Sequence, residues 1–257
     1  MTNKIYQIKK RFLSNEILSK GSSAFVLKII GSFLGYLFLL LVTRTSGAEA
    51  WGIFALCMAL LNITSILSRF GVDTALLRFV AQLKGKMEEV KGIYFQGISL
   101  VLFLSILFSV LLFFFSDIVA ELVFRKPHLT PYFKIISFGL VPFTIIHVNV
   151  QAYRGLKRIK EFAFFQHTSK FLFAVIIFVL LFYCTGIEAI IIPIYSFLFA
   201  VFIIMIISSY GLLKSFKGVQ LIKKFSQKEI VKTSFPMMLS SSVLLLMAWS
   251  DTIMIGI

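Results

Sequence analysis

The chain has 257 residues, 59% of them hydrophobic and only 14% charged, with a mean hydropathy of +0.95. Water-soluble domains carry about 25% charged residues, so this composition excludes an ordinary soluble fold and points to a chain that lies mostly in lipid. The net charge of +15 raises nucleic acid as a partner, but the placement of the basic residues, given below, excludes it.

Residues 1–21 are polar and basic, with Lys4, Lys9, Lys10, Arg11 and Lys20 against Glu16. Their pattern predicts an amphipathic segment on the membrane surface. An apolar run follows at 22–43. At 1.5 Å per residue it is roughly 33 Å long, enough to cross a ~30 Å hydrocarbon core. It exceeds the 7–15 apolar residues of a cleavable signal, so it reads as an uncleaved first span. After a turn at 44–51, further spans are expected at 52–68, 92–115, 132–151, 162–183, 187–209 and 235–257, seven in all. The fold class is all-α, a polytopic transmembrane bundle. The expected division is the surface segment 1–21, a six-span unit 22–210, a basic interfacial linker 211–234 and a further span 235–257.

The loops alternate in charge. The N-terminal segment is basic. So are the loops after the second span (Arg69, Arg78, Lys84, Lys86, Lys91), the fourth (Arg154, Lys157, Arg158, Lys160) and the sixth (Lys214, Lys217, Lys223, Lys224, Lys228, Lys232). The other side holds only Arg44, Arg125 and Lys126. The positive-inside rule places the basic side in the cytoplasm. Anionic headgroups are its natural counter-charge, so membrane lipids, and not nucleic acid, are the expected partners of this charge.

Prolines mark breaks. Pro142 falls midway along the fourth span, where it should kink the helix and serve as a hinge. Pro193 and Pro236 are expected to open the sixth and seventh spans, where proline costs least.

Polar residues inside spans are costly and therefore informative. A charge at the helix centre costs about 2.5–3.5 kcal/mol. Lys28 and Lys170 each lie about two turns into a span; each either faces an interior cavity or snorkels to the headgroups. Asp251 lies roughly 15 residues past Pro236, about 22 Å along the helix. Its short side chain is expected to face the bundle interior and pair with a cation or a proton. Asn62, Thr64, Gln96, Asn149 and Gln151 are expected to make helix–helix hydrogen bonds. Gly31 and Gly35 form a GxxxG pair that allows close backbone approach. After the second span, Gly71 marks a break before a short helix with Asp73, Thr74 and Arg78. Asp73 and Arg78 are five apart, a poor spacing for a helical ion pair.

Chemistry is not legible. His128, His147 and His167 are scattered, Cys57 and Cys184 have no CxxC spacing, and there is no HExxH, P-loop or GxGxxG. Neither an enzyme, nor a metal site, nor a cofactor is expected.

Three segments carry a resemblance: VTRTSGAEAWGIFAL, with Arg44, Gly47, Glu49 and Gly52; SRFGVDTALLRFVA, with Gly71, Asp73, Thr74 and Arg78; and WSDTIMIGI, with Asp251. Together they resemble the polysaccharide-repeat (O-antigen, Wzx-type) flippases of the MATE-like exporter superfamily. The resemblance implies an alternating-access transporter of two six-helix lobes around a cationic cavity. It would carry lipid-linked (polyprenyl-pyrophosphate) oligosaccharide from the cytoplasmic to the outer leaflet of the bacterial plasma or inner membrane. Polysaccharide polymerase and chain-length machinery are the candidate partners. Lys28, Asp251, Lys170, Asn62 and Gln96 are the candidate cavity residues; Lys28 suits a pyrophosphate, and Asp251 suits coupling to protons or sodium. Seven spans against about twelve in the family imply a piece of a longer chain, a truncated product or a half that dimerises. The competing readings are a MATE-type cation-coupled drug antiporter and a non-transporting membrane subunit. The antiporter usually needs buried acids, whereas spans one to six hold Lys28, Lys134 and Lys170.

Overall fold

The computed structural model describes the backbone of residues 2–256 except 84, 185, 187 and 223–225, and within these the side chains of 21–239, 243 and 247. No strand occurs among the described residues. The helices are α1 (Thr2–Thr45), α2 (Gly47–Arg69), α3 (Val72–Gln82), α4 (Met87–Ile118), α5 (Thr130–Ser137), α6 (Leu140–Gly155), α7 (Ile159–Ala163), α8 (Ser169–Cys184), α9 (Ile192–Ser215) and α10 (Gln227–Gly256). Wide π-helical turns extend α4 (Val119–Val123) and join α7 to α8 (Phe164–Thr168).

Five helices among the described residues are long and apolar enough to cross a membrane: Gly21–Thr45, Gly47–Arg69, Met87–Val123, Ile159–Cys184 and Ile192–Ser215. The bent pair Pro127–Ser137 and Leu140–Gly155 makes a sixth. The chain is a multi-pass membrane protein. The seventh expected span falls in α10, a helix of 30 residues.

Four local expectations are corrected. The N-terminal segment is not a separate surface helix; α1 runs unbroken from Thr2 to Thr45. The sixth span starts five residues later than expected, at Ile192. The apolar run before it is a turn, closed by the Ile191 N–H donating to the Glu188 carbonyl at 3.0 Å; apolarity alone does not separate such a turn from helix. Pro236 does not open α10 but lies inside it, a position that membrane helices tolerate. Residues 211–234 are not all linker: α9 continues to Ser215, 216–222 is turn and coil, and α10 begins at Gln227. This loop is held to the start of α4 by the Lys91 ammonium donating to the Val219 carbonyl at 2.7 Å.

The fourth span bends by 51°. The break is at Phe138 and Gly139, and Pro142 is the third residue of α6. A proline lacks the N–H that would bond four residues back, and its ring crowds that carbonyl. Here that carbonyl is Phe138's. The Phe138 and Gly139 amides instead donate to Ile135 and Ile136, at 3.3 and 2.9 Å, closing α5 with tight turns.

The core is aromatic where spans meet. Phe38 of α1 contacts Phe54 of α2 and Phe178 of α8, with ring centroids 5.4 and 5.8 Å apart; Phe54 contacts Phe197 of α9 at 5.7 Å. The opposite faces present Phe103, Phe114 and Ile206 outward, as lipid requires. The Gly31–Gly35 pair is used as its spacing predicts. A methyl group on Gly31 would run into the His167 carbonyl of the wide turn, and one on Gly35 would sit 3.4 Å from the Phe171 ring. The Thr168 hydroxyl fastens the same contact by donating to the Leu27 carbonyl at 2.8 Å.

Gly31→Ala is therefore expected to destabilise the protein by about 2 kcal/mol through overpacking against backbone. Gly21→Ala, with nothing within 4 Å, should be neutral or stabilising by about 0.5 kcal/mol. Denaturant titration of both variants in mixed micelles checks the contrast.

Candidate functional site

Three elements bring basic groups together inside the bundle. Arg69 is the last residue of α2. Its Nε donates to the Ser65 carbonyl at 3.1 Å, and its Nη1 donates to Asp73 Oδ2 at 2.9 Å. The two side chains are only 11% and 14% exposed. This pair spans the break between α2 and α3, where Phe70 (φ 49°) and Gly71 (φ 71°) are both left-handed. Such a conformation is uncommon for a bulky residue. The two turned residues set four-residue spacing across a bend, so Arg69 and Asp73 meet as they would on one helix.

Lys170 is the second residue of α8 and is half-buried. Its ammonium sits over the Phe143 ring of α6, 4.9 Å from the centroid. Such a contact is electrostatically favourable, but it does not neutralise the charge. Among the described residues no carboxylate pairs with Lys170. His147, one turn along α6, meets the same Phe143 ring edge-on at 4.8 Å. Its Nε2 is buried with no hydrogen-bond partner. The charges of Arg69 and Lys170 both reach His147, and Arg69 reaches Lys170. Gln151 and Gln166, four residues from His147 and Lys170 along the chain, each bury an Oε1 without a partner.

Lys170 and His147 thus share the Phe143 ring, Arg69 lies within electrostatic reach of both, and Asp73 is already committed to Arg69. Among the described residues one positive charge is left unbalanced. Excess positive charge beside buried hydrogen-bonding side chains suits an anionic group. The arrangement has no nucleophile–base pair, and among the described residues no group of histidine, cysteine and carboxylate side chains could hold a metal.

The sequence candidates divide around this cluster. Lys170 is part of it. Lys28 is exposed on α1, with its charge, like that of Lys170, in reach of His167. Asn62 and Thr64 do not bridge helices: each donates back to its own helix, to Met58 and Leu60, both at 2.7 Å. Gln96 is half-buried on α4. Asp251 lies in α10, but its side chain is outside the described residues. Arg44, Glu49 and Gly52 are exposed around the turn between α1 and α2, which Gly47 (φ 90°) makes. Thr74 is half-buried and Arg78 is exposed, so Asp73 pairs backward with Arg69 rather than forward. Arg69 and His147 were not among the candidates. The signal for Arg69 is the spacing Arg-Phe-Gly-Val-Asp, visible only if the bend is allowed for.

A second polar group is structural. Asn149, fully buried, accepts from the Tyr94 hydroxyl at 2.7 Å and donates to the Ser208 and Ser209 hydroxyls, both at 3.0 Å. It ties α4, α6 and α9 together, as helix-bridging amides do in lipid.

A family of sequences described as "Polysaccharide biosynthesis protein" matches the chain over residues 17–257. No curated protein and no solved structure matches it.

Asn149→Ala is expected to cost about 2 kcal/mol, since intramembrane hydrogen bonds average ≈ 0.6 kcal/mol each and the Tyr94 hydroxyl is left buried without its acceptor. Denaturant titration of this variant beside Asn62→Ala, expected within about 0.5 kcal/mol of wild type, measures the difference.

Proposed function

We propose that this chain, which belongs to the polysaccharide biosynthesis protein family of Wzx-type polysaccharide flippases, moves lipid-linked oligosaccharide repeat units across a bacterial plasma membrane by alternating access. The observation that carries this reading is Lys170. An ammonium held inside an apolar span costs about 2.5–3.5 kcal/mol on insertion scales, and this one has an aromatic ring beneath it and, among the described residues, no acid beside it. A cation kept at that cost without a counter-ion has an anionic partner that comes and goes. A polyprenyl-linked pyrophosphate supplies that charge, and its saccharide supplies hydroxyl groups for His147, Gln151 and Gln166. The lipid tail stays in the bilayer while the charged part crosses beside the cluster.

On this reading the six spans up to Ser215 form one lobe and α10 opens the other. The basic loops, and with them the N-terminus, face the cytoplasm, where the charge rule puts them. The lobe moves a substrate and transforms none, so the protein is a transporter rather than an enzyme. Polysaccharide polymerase and chain-length machinery act on the exported unit at the outer face. A cation-coupled antiporter would instead place an unpaired acid at the cluster, whereas among the described residues the acid there, Asp73, is bound to Arg69.

Lys170→Gln is expected to lower surface polysaccharide export by about tenfold or more, a loss of ~1.4 kcal/mol or more, at unchanged protein level. Lys170→Arg should retain most of it. Lys134→Gln should export normally, because Lys134 is already paired with Asp117 at 3.0 Å. Wild-type export from Lys170→Gln would remove the cluster from the transport path.

A further inference from the structure

The end of α2 touches two things at once: the cationic cluster, through Arg69, and α10, through the elbow that follows. Phe70 and Gly71 are successive left-handed residues. The Gly71 backbone lies directly against α10, where an added methyl group would run into the Ser234 carbonyl and the Met238 amide. The Phe70 and Phe235 rings pack alongside, 5.8 Å apart. Between these contacts is a void of ≈ 10 Å³ lined by Ile66, Arg69, Gly71, Asp73 and Met238. That is room for one water at most.

We propose that the Arg69–Asp73 pair couples occupancy of the cationic cluster to the seating of α10 on this elbow. The inference rests on the anion-site reading above and adds to it a path by which the bound anion is sensed. Asp73 is here a positioning residue: it touches Arg69 and not the ligand. A phosphate ester held between Lys170 and Arg69 competes for the guanidinium N–H groups that Asp73 now accepts. A carboxylate left buried without its partner is strongly unfavourable. The void cannot hydrate it, so the elbow must open to water. Gly71 leaves no slack against the α10 backbone, and opening therefore unseats α10 at 234–238. The strained Phe70 backbone is consistent with a segment held in place by its surroundings rather than by its own preference. The free energy needed is only the difference in anion affinity between the seated and unseated states.

The test is hydrogen exchange of the α10 amides over 230–239, in the full chain in phosphatidylcholine nanodiscs, with and without inorganic pyrophosphate. Binding is followed separately by ³¹P NMR, and the α9 amides report an intact fold. In wild type, bound pyrophosphate should speed α10 exchange by about fivefold or more, the low end of ordinary site-to-site coupling. Asp73→Asn has no carboxylate to strand, so its α10 exchange should stay slow with and without pyrophosphate. Arg69→Lys, which keeps the charge but not the fork, should already exchange fast without pyrophosphate and serves if Asp73→Asn does not fold. Fast exchange in nanodiscs containing phosphatidylglycerol, without pyrophosphate, would assign the anion to a lipid headgroup and support the coupling. Bound pyrophosphate with unchanged exchange in wild type, or folded variants whose exchange responds to pyrophosphate as wild type does, would overturn the coupling alone. Absence of pyrophosphate binding, in discs where the headgroup also has no effect, would overturn both the anion site and the coupling.

Discussion

The ammonium of Lys170 over the Phe143 ring is the contact on which the functional account depends. In water such a pair is ordinary, worth ~0.5–1 kcal/mol at exposed sites. Inside a span it is a half-buried charge whose described neighbours offer it a quadrupole and no carboxylate. Everything placed around it either leaves the charge uncompensated or adds to it: His147 shares the ring, Arg69 lies within electrostatic reach, and the local carboxylate is spent on Arg69. The bundle has built a deficit of negative charge at one level of the membrane.

Helix packing fixes where that deficit sits. Gly31 and Gly35 let α1 approach the wide turn at Phe164–Thr168 and the Phe171 ring. The turn is one residue wider per loop than an α-helix, so it shifts the rotation of the residues that follow it. Such insertions recur at functional sites. Lys170 follows two residues later. On the facing side, the bend before α6 sets the direction in which Phe143 and His147 project. A site that no local motif encodes is thus assembled from a glycine pair, a wide turn and a proline-bounded break.

The spans were legible because a lipid-crossing helix must be long and apolar, and only this chain's turns interrupt that pattern. The kink near Pro142 was legible for the same kind of reason, although the break falls four residues earlier, at the carbonyl that the ring excludes. What failed were readings that needed rotation or bending. Apolarity carried 187–191 into helix, although 188–191 is coil and turn and 187 lies outside the described residues. Helical spacing applied to Asp73 looked forward to Arg78, because the bend that brings Arg69 within reach exists only once Phe70 and Gly71 turn left-handed. Arg69 was counted with the loop charges, and His147 with the scattered histidines, since nothing in a linear string shows which face of α6 meets α8. Lys28 and Lys170 looked equivalent in depth, and only packing separates the exposed one from the half-buried one.

The central claim is that an anion occupies the space between Lys170 and Arg69, and the most direct measurement is its distance from Lys170. With ¹⁵N-labelled lysine and a polyprenyl pyrophosphate in the membrane, solid-state NMR can detect dephasing of the Lys170 Nζ by ³¹P, assigned by its loss in Lys170→Gln. The account predicts a phosphorus about 3.5 Å from Nζ, the separation set by a charge-assisted hydrogen bond of ≈ 2.7–2.9 Å to a phosphate oxygen. A Lys170 signal untouched by saturating pyrophosphate lipid, while another lysine is dephased, would contradict it.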